Sequence, residues 1–248
     1  MGWLGLDDTD HLGGGCTTKT LDELIIGLPK SVYVGEIRLV RLWPFAKQRT
    51  RGNAAVAVEI NAQNEKQLIE HLDNWWDKKI EPLCGKITNS ENYVREQYET
   101  DPGMVWFSEE VPNEGFYFDA VSREVKLSEV PLADKSWGGH GRIGATAAVA
   151  WKKSKFTFEA IAWRSKNNIL ENNIRLIDTD RLMEIDARKD TFMSRDSRTG
   201  NSLIAPRGPC PVLFGVRATT FGSAKESAQY LIDSDNTETI SGMRVFVT

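Results

Sequence analysis

Cysteine is scarce in this chain of 248 residues: Cys16, Cys84 and Cys210 are the only three, and they lie far apart. Such spacing supports neither a disulfide framework nor a paired-cysteine zinc knuckle. No stretch approaches the about 18 apolar residues of a membrane span. Residues 1–7 lack the basic start and apolar core of a signal peptide. A cytoplasmic protein without a zinc site is therefore expected. The Walker GK[ST] signature is missing, as are internal repeats and low-complexity segments.

What remains is an ordinary globular balance. Hydrophobic residues make up 40% and charged residues 27%, enough for a core and too apolar for disorder. The net charge of −4 is unevenly spread. Residues 52–151 carry 9 bases and 17 acids, a balance of −8, whereas residues 152–207 carry 12 bases and 8 acids, a balance of +4. A docked polyanion is expected to prefer the later segment, since phosphates need clustered Lys and Arg. Two solvated faces of different charge are the plainer alternative.

Hydrophobic periodicity predicts strands over 3–6, 32–43 and 54–60, helices over 18–27 and 64–79, and a small-residue helix over 143–151. Residues 88–115, polar and broken by Asp101-Pro102-Gly103, read as an irregular excursion. From about residue 156 the rhythm becomes strand 156–163, helix 178–185, strand 191–195, strand 211–219, helix 223–232 and strand 243–247. That β-α-β-β-α-β order is the ferredoxin-like arrangement. Two α/β units meeting near residue 152 are expected.

Four constellations carry chemistry. In GLDDTDHLGGGCTT, residues 5–18, a strand ends in Asp7, Asp8 and Asp10, and Gly13, Gly14 and Gly15 lead through Cys16, Thr17 and Thr18 into a helix. A flexible glycine backbone and a helix N-terminus favour an anion. Adjacent carboxylates suit Mg²⁺, a hard ion that binds oxygen and bridges to phosphates. The alternative is an Asp-rich turn with Thr17 or Thr18 as the helix cap. In GGHGRIGATAA, residues 138–148, Gly139, Gly141 and Gly144 punctuate the start of a helix, and Arg142 offers a guanidinium fit for phosphate. His140 reads as a loop donor. Two glycine-rich turns beside carboxylates point to a nucleoside triphosphate. In RTRGN, residues 49–53, Arg49, Arg51 and Asn53 suit a phosphate or carboxylate, or form a solvated basic turn. In IAPRGPCPVLFGVR, residues 204–217, prolines stiffen a loop bearing Arg207 and Gly208, a substrate holder or a plain connector.

These motifs, with RTRGNAAVA, DPGMV and FEAIAWR, resemble successive motifs of the archaeal tRNA(Ile) 2-agmatinylcytidine synthetases, from residue 5 to the C-terminus. In that family an ATP-dependent kinase-like domain carries DDTD and CTT, and a ferredoxin-like domain follows. An OB-fold and a zinc ribbon then help to hold tRNA, and the sequence ends where they would begin. The resemblance implies an α/β fold with a kinase-like ATP-binding domain over 1–152 and a ferredoxin-like domain over 153–248. It implies metal-binding acids at Asp7, Asp8 and Asp10, and a phosphorylated threonine at Thr17 or its neighbour Thr18. Nucleotide-binding positions are then Gly13, Gly14, Gly15, Gly139, Gly141, Arg142 and Gly144, and substrate-binding positions are Arg51, Asn53, Arg207 and Gly208. The expected activity is an ATP- and Mg²⁺-dependent amine ligase that activates its acceptor by phosphoryl transfer, joining agmatine to the wobble cytidine of tRNA. The tRNA would be held with help from another module or protein. An ATP-dependent small-molecule amine ligase and a non-catalytic nucleotide-binding regulatory module are the alternatives.

Overall fold

The computed structural model describes residues 1–11, 13–49, 52–86, 98–164, 179–195, 211–233 and 240–248. The chain divides into two compact units, Met1–Lys152 and Lys153–Thr248. Among the described residues no helix is long and apolar enough to cross a membrane.

The first unit is built on an antiparallel sheet of β1 (Gly2–Asp7), β2 (Val32–Arg41), β3 (Ala54–Ala62), β4 (Gly103–Phe107) and β5 (Lys135–Gly138), ordered β5-β4-β1-β3-β2. Side chains alternate along a strand: Gly5 and Asp7 of β1 approach helix α4 (Gly141–Ala150), while Leu4 and Leu6, fully buried, face the other way. α4 lies against β1, β3 and β4. Its Ala145, Ala147, Ala148 and Ala150 are buried and small, which brings the helix backbone close to the sheet. Helix α1 (Thr17–Gly27) packs on β1 and β3 through Leu21 and Leu24. Helix α2 (Glu65–Trp75) is tied to the sheet by two indoles, Trp106 donating to Glu65 and Trp137 to Asp73, both at 2.7 Å.

Arg38 of β2 closes the far end of α4. Its Nη1 donates to the carbonyls of Val149 (3.0 Å) and Trp151 (2.7 Å), its Nε donates to Glu36 (2.7 Å), and its guanidinium lies 3.6 Å above the Trp3 ring. A cation there satisfies orphan carbonyls and the negative end of the helix dipole together.

Two expectations are corrected in this unit. The described part of 88–115 holds β4 and the start of helix α3 (Glu114–Ser122), and β5 lies outside the expected strands as well. All five residues of β4 are buried, so the strand has no polar face to alternate with. The 64–79 helix is α-helical only to Trp75; a wider π turn over Trp76–Ile80 follows and buries Trp76 and Ile80 together.

The second unit runs β6 (Phe158–Arg164), α5 (Thr179–Asp186), β7 (Thr191–Arg195), β8 (Val212–Ala218), α6 (Phe221–Asp233) and β9 (Ile240–Val247). Its strands are antiparallel in the order β9-β6-β8-β7. Ala160 and Ala162 of β6, Val216 of β8, Ile185 of α5 and Ala224, Ala228 and Leu231 of α6 form one core. The termini of the unit are laced by Thr157 and Thr248, each N–H donating to the other's carbonyl at 2.7 and 2.9 Å.

Candidate functional site

Strand pairing sets Asp7 opposite Gly103, and Gly103 opposite Gly138. The end of β1, the start of β4 and the end of β5 therefore meet at one end of the first unit's sheet, where α4 begins. Asp7 is buried, and its Oδ1 accepts the Asp8 N–H at 2.7 Å. A Cβ on Gly144 would overlap Asp7 Oδ2, so glycine there is what admits the carboxylate against α4. Burial pushes the Asp7 carboxyl well above the usual carboxylate range, the Asp10 charge pushes it the same way, and the Asp8 N–H opposes both. Asp8 follows with φ 56°, a left-handed conformation that non-glycine residues adopt at a cost. Its Oδ2 accepts the Asp101 N–H at 2.7 Å. Asp10 is held through its carbonyl, which accepts from Thr100 Oγ1 at 2.9 Å.

The three acids line one open cleft in the first unit, together with Arg49, Asn53, Arg123 and His140. Gly141 and Gly144 also border it. Among the described residues no group of three or more His, Cys, Asp or Glu side chains is arranged to hold a metal ion.

The other expected site residues behave differently. Gly13 N–H donates to His11 Nδ1 (3.1 Å) and Gly14 N–H to the His11 carbonyl (3.0 Å), so both donors are engaged within their own turn. Gly15, with φ 83°, makes the bend into α1. In the second turn Gly139 N–H donates to Pro102, Gly141 N–H to Asp101 and Arg142 N–H to Gly139, at 2.9, 2.9 and 3.1 Å. Arg142 turns its Nε back to the Gly139 carbonyl (3.2 Å) and does not line the cleft. Neither glycine turn therefore presents the row of idle N–H groups that the sequence suggested.

Cys16 is the N-cap residue of α1 and its side chain makes no capping hydrogen bond, so neither Thr17 nor Thr18 is the cap. Both threonines are buried. Thr9 Oγ1 donates to Thr17 Oγ1 (3.4 Å) and lies 3.1 Å from Thr20 Oγ1, a ladder of hydroxyls, while Thr18 Oγ1 is 3.0 Å from Cys16 Sγ. Asn53 borders the cleft, with its Nδ2 donating to the Trp43 carbonyl at 2.6 Å. Arg51, Arg207 and Gly208 lie outside the described residues.

Sequence reasoning missed Asp101, which receives the hydrogen bonds of the loop donor His140. Asp101 Oδ2 accepts both the His140 N–H (2.8 Å) and the ring Nδ1 (2.7 Å). The available signal was the aspartate of DPGMV standing directly before a buried strand.

The family model described as the TiaS TCKD domain matches residues 3–142, and the one described as the TiaS FLD domain matches residues 139–248. The isoleucine-tRNA 2-agmatinylcytidine synthetase TiaS of Methanopyrus kandleri is 36% identical over 234 residues, covering 88% of this chain and 50% of that protein. The crystal structure of TiaS in complex with its isoleucine tRNA and ATP superposes with a TM-score of 0.74 at 27% identity, covering 100% of this chain and 58% of that one. A complex of TiaS with the same tRNA, AMPCPP and agmatine gives 0.73 at 25% identity, covering 100% and 59%. The chain spans about half the length of the curated relatives it matches. Two adjoining domain matches, and a shared fold along the whole chain, place it: the chain belongs to the TiaS family.

Proposed function

We propose that this chain is the core of an ATP- and Mg²⁺-dependent ligase that joins agmatine to the wobble cytidine of an isoleucine tRNA. In this reading Met1–Lys152 is a kinase-like domain, Lys153–Thr248 is ferredoxin-like, and the enzyme works in the cytoplasm. The observation that carries it is the convergence of Asp7, Asp8 and Asp10 on one cleft that also holds Arg49. Family membership supports the substrates, since relatives have been solved with isoleucine tRNA, ATP and agmatine.

The donor set fits magnesium. Mg²⁺ is commonly bound by one or two carboxylates plus substrate phosphates and water, so a complete protein cage is not required. A carboxylate as buried as Asp7 gains from a nearby cation, which offsets the cost of its charge. One or two of Asp7, Asp8 and Asp10, with phosphate oxygens and water, would hold the ion, which when bound would neutralise charge on the transferring phosphoryl group. Arg49 borders the cleft and adds positive charge for phosphate oxygens, whereas the Arg123 guanidinium is already paired with Asp119 and Glu129. Gly141 and Gly144 shape the floor on which the nucleotide lies. The N–H groups of Gly13, Gly14, Gly139 and Arg142 keep the surrounding turns in place, and Gly15 makes the bend into α1. Phosphorylation of Thr17, or of Thr18 beside it, requires the buried hydroxyl to turn out of its present contacts.

Incubation with ATP, followed by measurement of AMP, ADP and phosphothreonine, tests the reading. Nucleotide turnover that is lost in Asp8→Asn, with the fold retained, is expected. Unchanged ATP and Mg²⁺ affinity of Asp8→Asn by calorimetry would count against the site. For the acceptor, filter binding near 0.15 M salt is expected to show weak, steeply salt-sensitive tRNA binding by this chain. Submicromolar, sequence-selective binding would contradict that expectation.

A further inference from the structure

Asp101 and His140 come from separate parts of the chain and are locked together at the rim of the cleft. The Asp101 backbone is fixed on both sides, its N–H donating to Asp8 Oδ2 and its carbonyl accepting from Gly141. Its carboxylate accepts the His140 N–H and lies 2.7 Å from Nδ1. The absence of a side chain at Gly139 makes this possible, because a Cβ there would overlap the Asp101 carboxylate. A carboxylate can only accept, so Nδ1 carries the hydrogen and Nε2 is left as the ring's acceptor. His140 is 40% exposed and lines the same cleft as Asp7, Asp8 and Asp10.

We propose that His140 Nε2 is the proton acceptor for the incoming amine, and that Asp101 is the positioning residue that fixes its tautomer and direction. The proposal rests on the ligase reading above and names a part that the carboxylates cannot play while they hold the metal. When the amine nitrogen bonds to the cytidine carbon, the phosphorylated oxygen leaves as phosphate with the electron pair of the broken C–O bond. The nitrogen must then shed a proton, and the Nε2 lone pair takes it. The resulting imidazolium is stabilised by the Asp101 carboxylate on its other side, the division of labour seen wherever a carboxylate orients a basic histidine.

The experiment uses the full chain with ATP, agmatine and an isoleucine-tRNA transcript bearing the wobble cytidine, following ATP consumption and agmatine incorporation separately. His140→Ala should lower kcat for incorporation by about 100- to 10,000-fold. Its KM for agmatine should change little, and added imidazole should restore part of the rate. Nitrogen-15 NMR of the wild-type ring should show the Nδ1–H tautomer, and Asp101→Asn, whose amide can donate, should shift it towards Nε2–H with a fall in kcat. Undiminished incorporation in His140→Ala overturns the proton-acceptor role. So does a loss in a folded variant that imidazole leaves unrescued. A wild-type ring in the Nε2–H tautomer overturns the role of Asp101. A wild-type protein that consumes no ATP overturns the ligase reading itself and the proton role with it, and is told apart from the others by the ATP assay alone.

Discussion

Replacing Arg38 removes four interactions at one stroke. Its side chain is only 10% exposed, and its guanidinium serves the Val149 and Trp151 carbonyls, the Glu36 carboxylate and the Trp3 ring face. Hydrogen bonds from a charged donor contribute about 1.5–3 kcal/mol each, and a desolvated cation–π contact about 2 kcal/mol. These overlap, since they share one group and one desolvation cost. Breaking a buried ion pair from one side costs about 3–5 kcal/mol, and that range is the expected loss for Arg38→Ala. Arg38→Lys keeps the charge but not the fork, reaches fewer carbonyls at once, and should lose about 2 kcal/mol. Urea unfolding followed by tryptophan fluorescence is the assay, because seven of the eight tryptophans lie in Met1–Lys152. With a slope of about 2 kcal/mol per molar urea, the midpoint of Arg38→Ala should fall by roughly 1.5–2.5 M. A loss below about 1 kcal/mol, or a lysine variant as stable as the wild type, would refute the view that Arg38 fastens the end of α4.

Gly144→Ala should destabilise the protein by about 1–3 kcal/mol despite alanine's better helix propensity, because the new methyl collides with Asp7; a raised thermal midpoint would contradict the close approach. Asp7 should make stability pH-dependent in a defined direction. Its folded pKa is raised, so the folded state holds the proton more tightly than the unfolded chain, and stability should fall as pH rises from about 3.9 to the folded pKa, then level off. Asp7→Asn should lose that slope, and parallel urea midpoints for the two proteins between pH 4 and pH 7 would refute it. Thr17→Val should cost about 1 kcal/mol and abolish phosphothreonine detected by mass spectrometry, while Thr18→Val should leave it; the opposite result would move the assignment by one residue.

The strands β1 and β3 were legible as short apolar runs, nearly all of whose residues are buried, and helix α1 from Leu21 and Leu24 on one buried face. β4 is an equally buried apolar run, but it directly follows the polar stretch that ends in Asp101-Pro102 and was absorbed into that loop. That Asp7, Asp8 and Asp10 would gather at one cleft could be read from the sequence, since three acids in four positions need a counter-charge. The fate of the glycine N–H groups could not. Whether Gly139 offers its hydrogen to a ligand or to Pro102 is decided by the approach of β4 to β5, a contact between distant parts of the chain. The Asp101–His140 bond, spanning 39 positions, was hidden for the same reason.

The end of β1 also bears on how this protein would respond to selection. Asp8 sits in a backbone region worth about 1–3 kcal/mol of strain, and Asp7 is a carboxylate driven out of water. Both are poor choices for a folded chain judged on folding alone. A library screened only for heat resistance should therefore enrich Gly or Asn at position 8 and a neutral residue at position 7. Such a screen would yield sturdier proteins without the charge that faces the cleft. A screen for turnover would drive the same two positions back. Compensating gains would then have to come from elsewhere in the chain, away from β1.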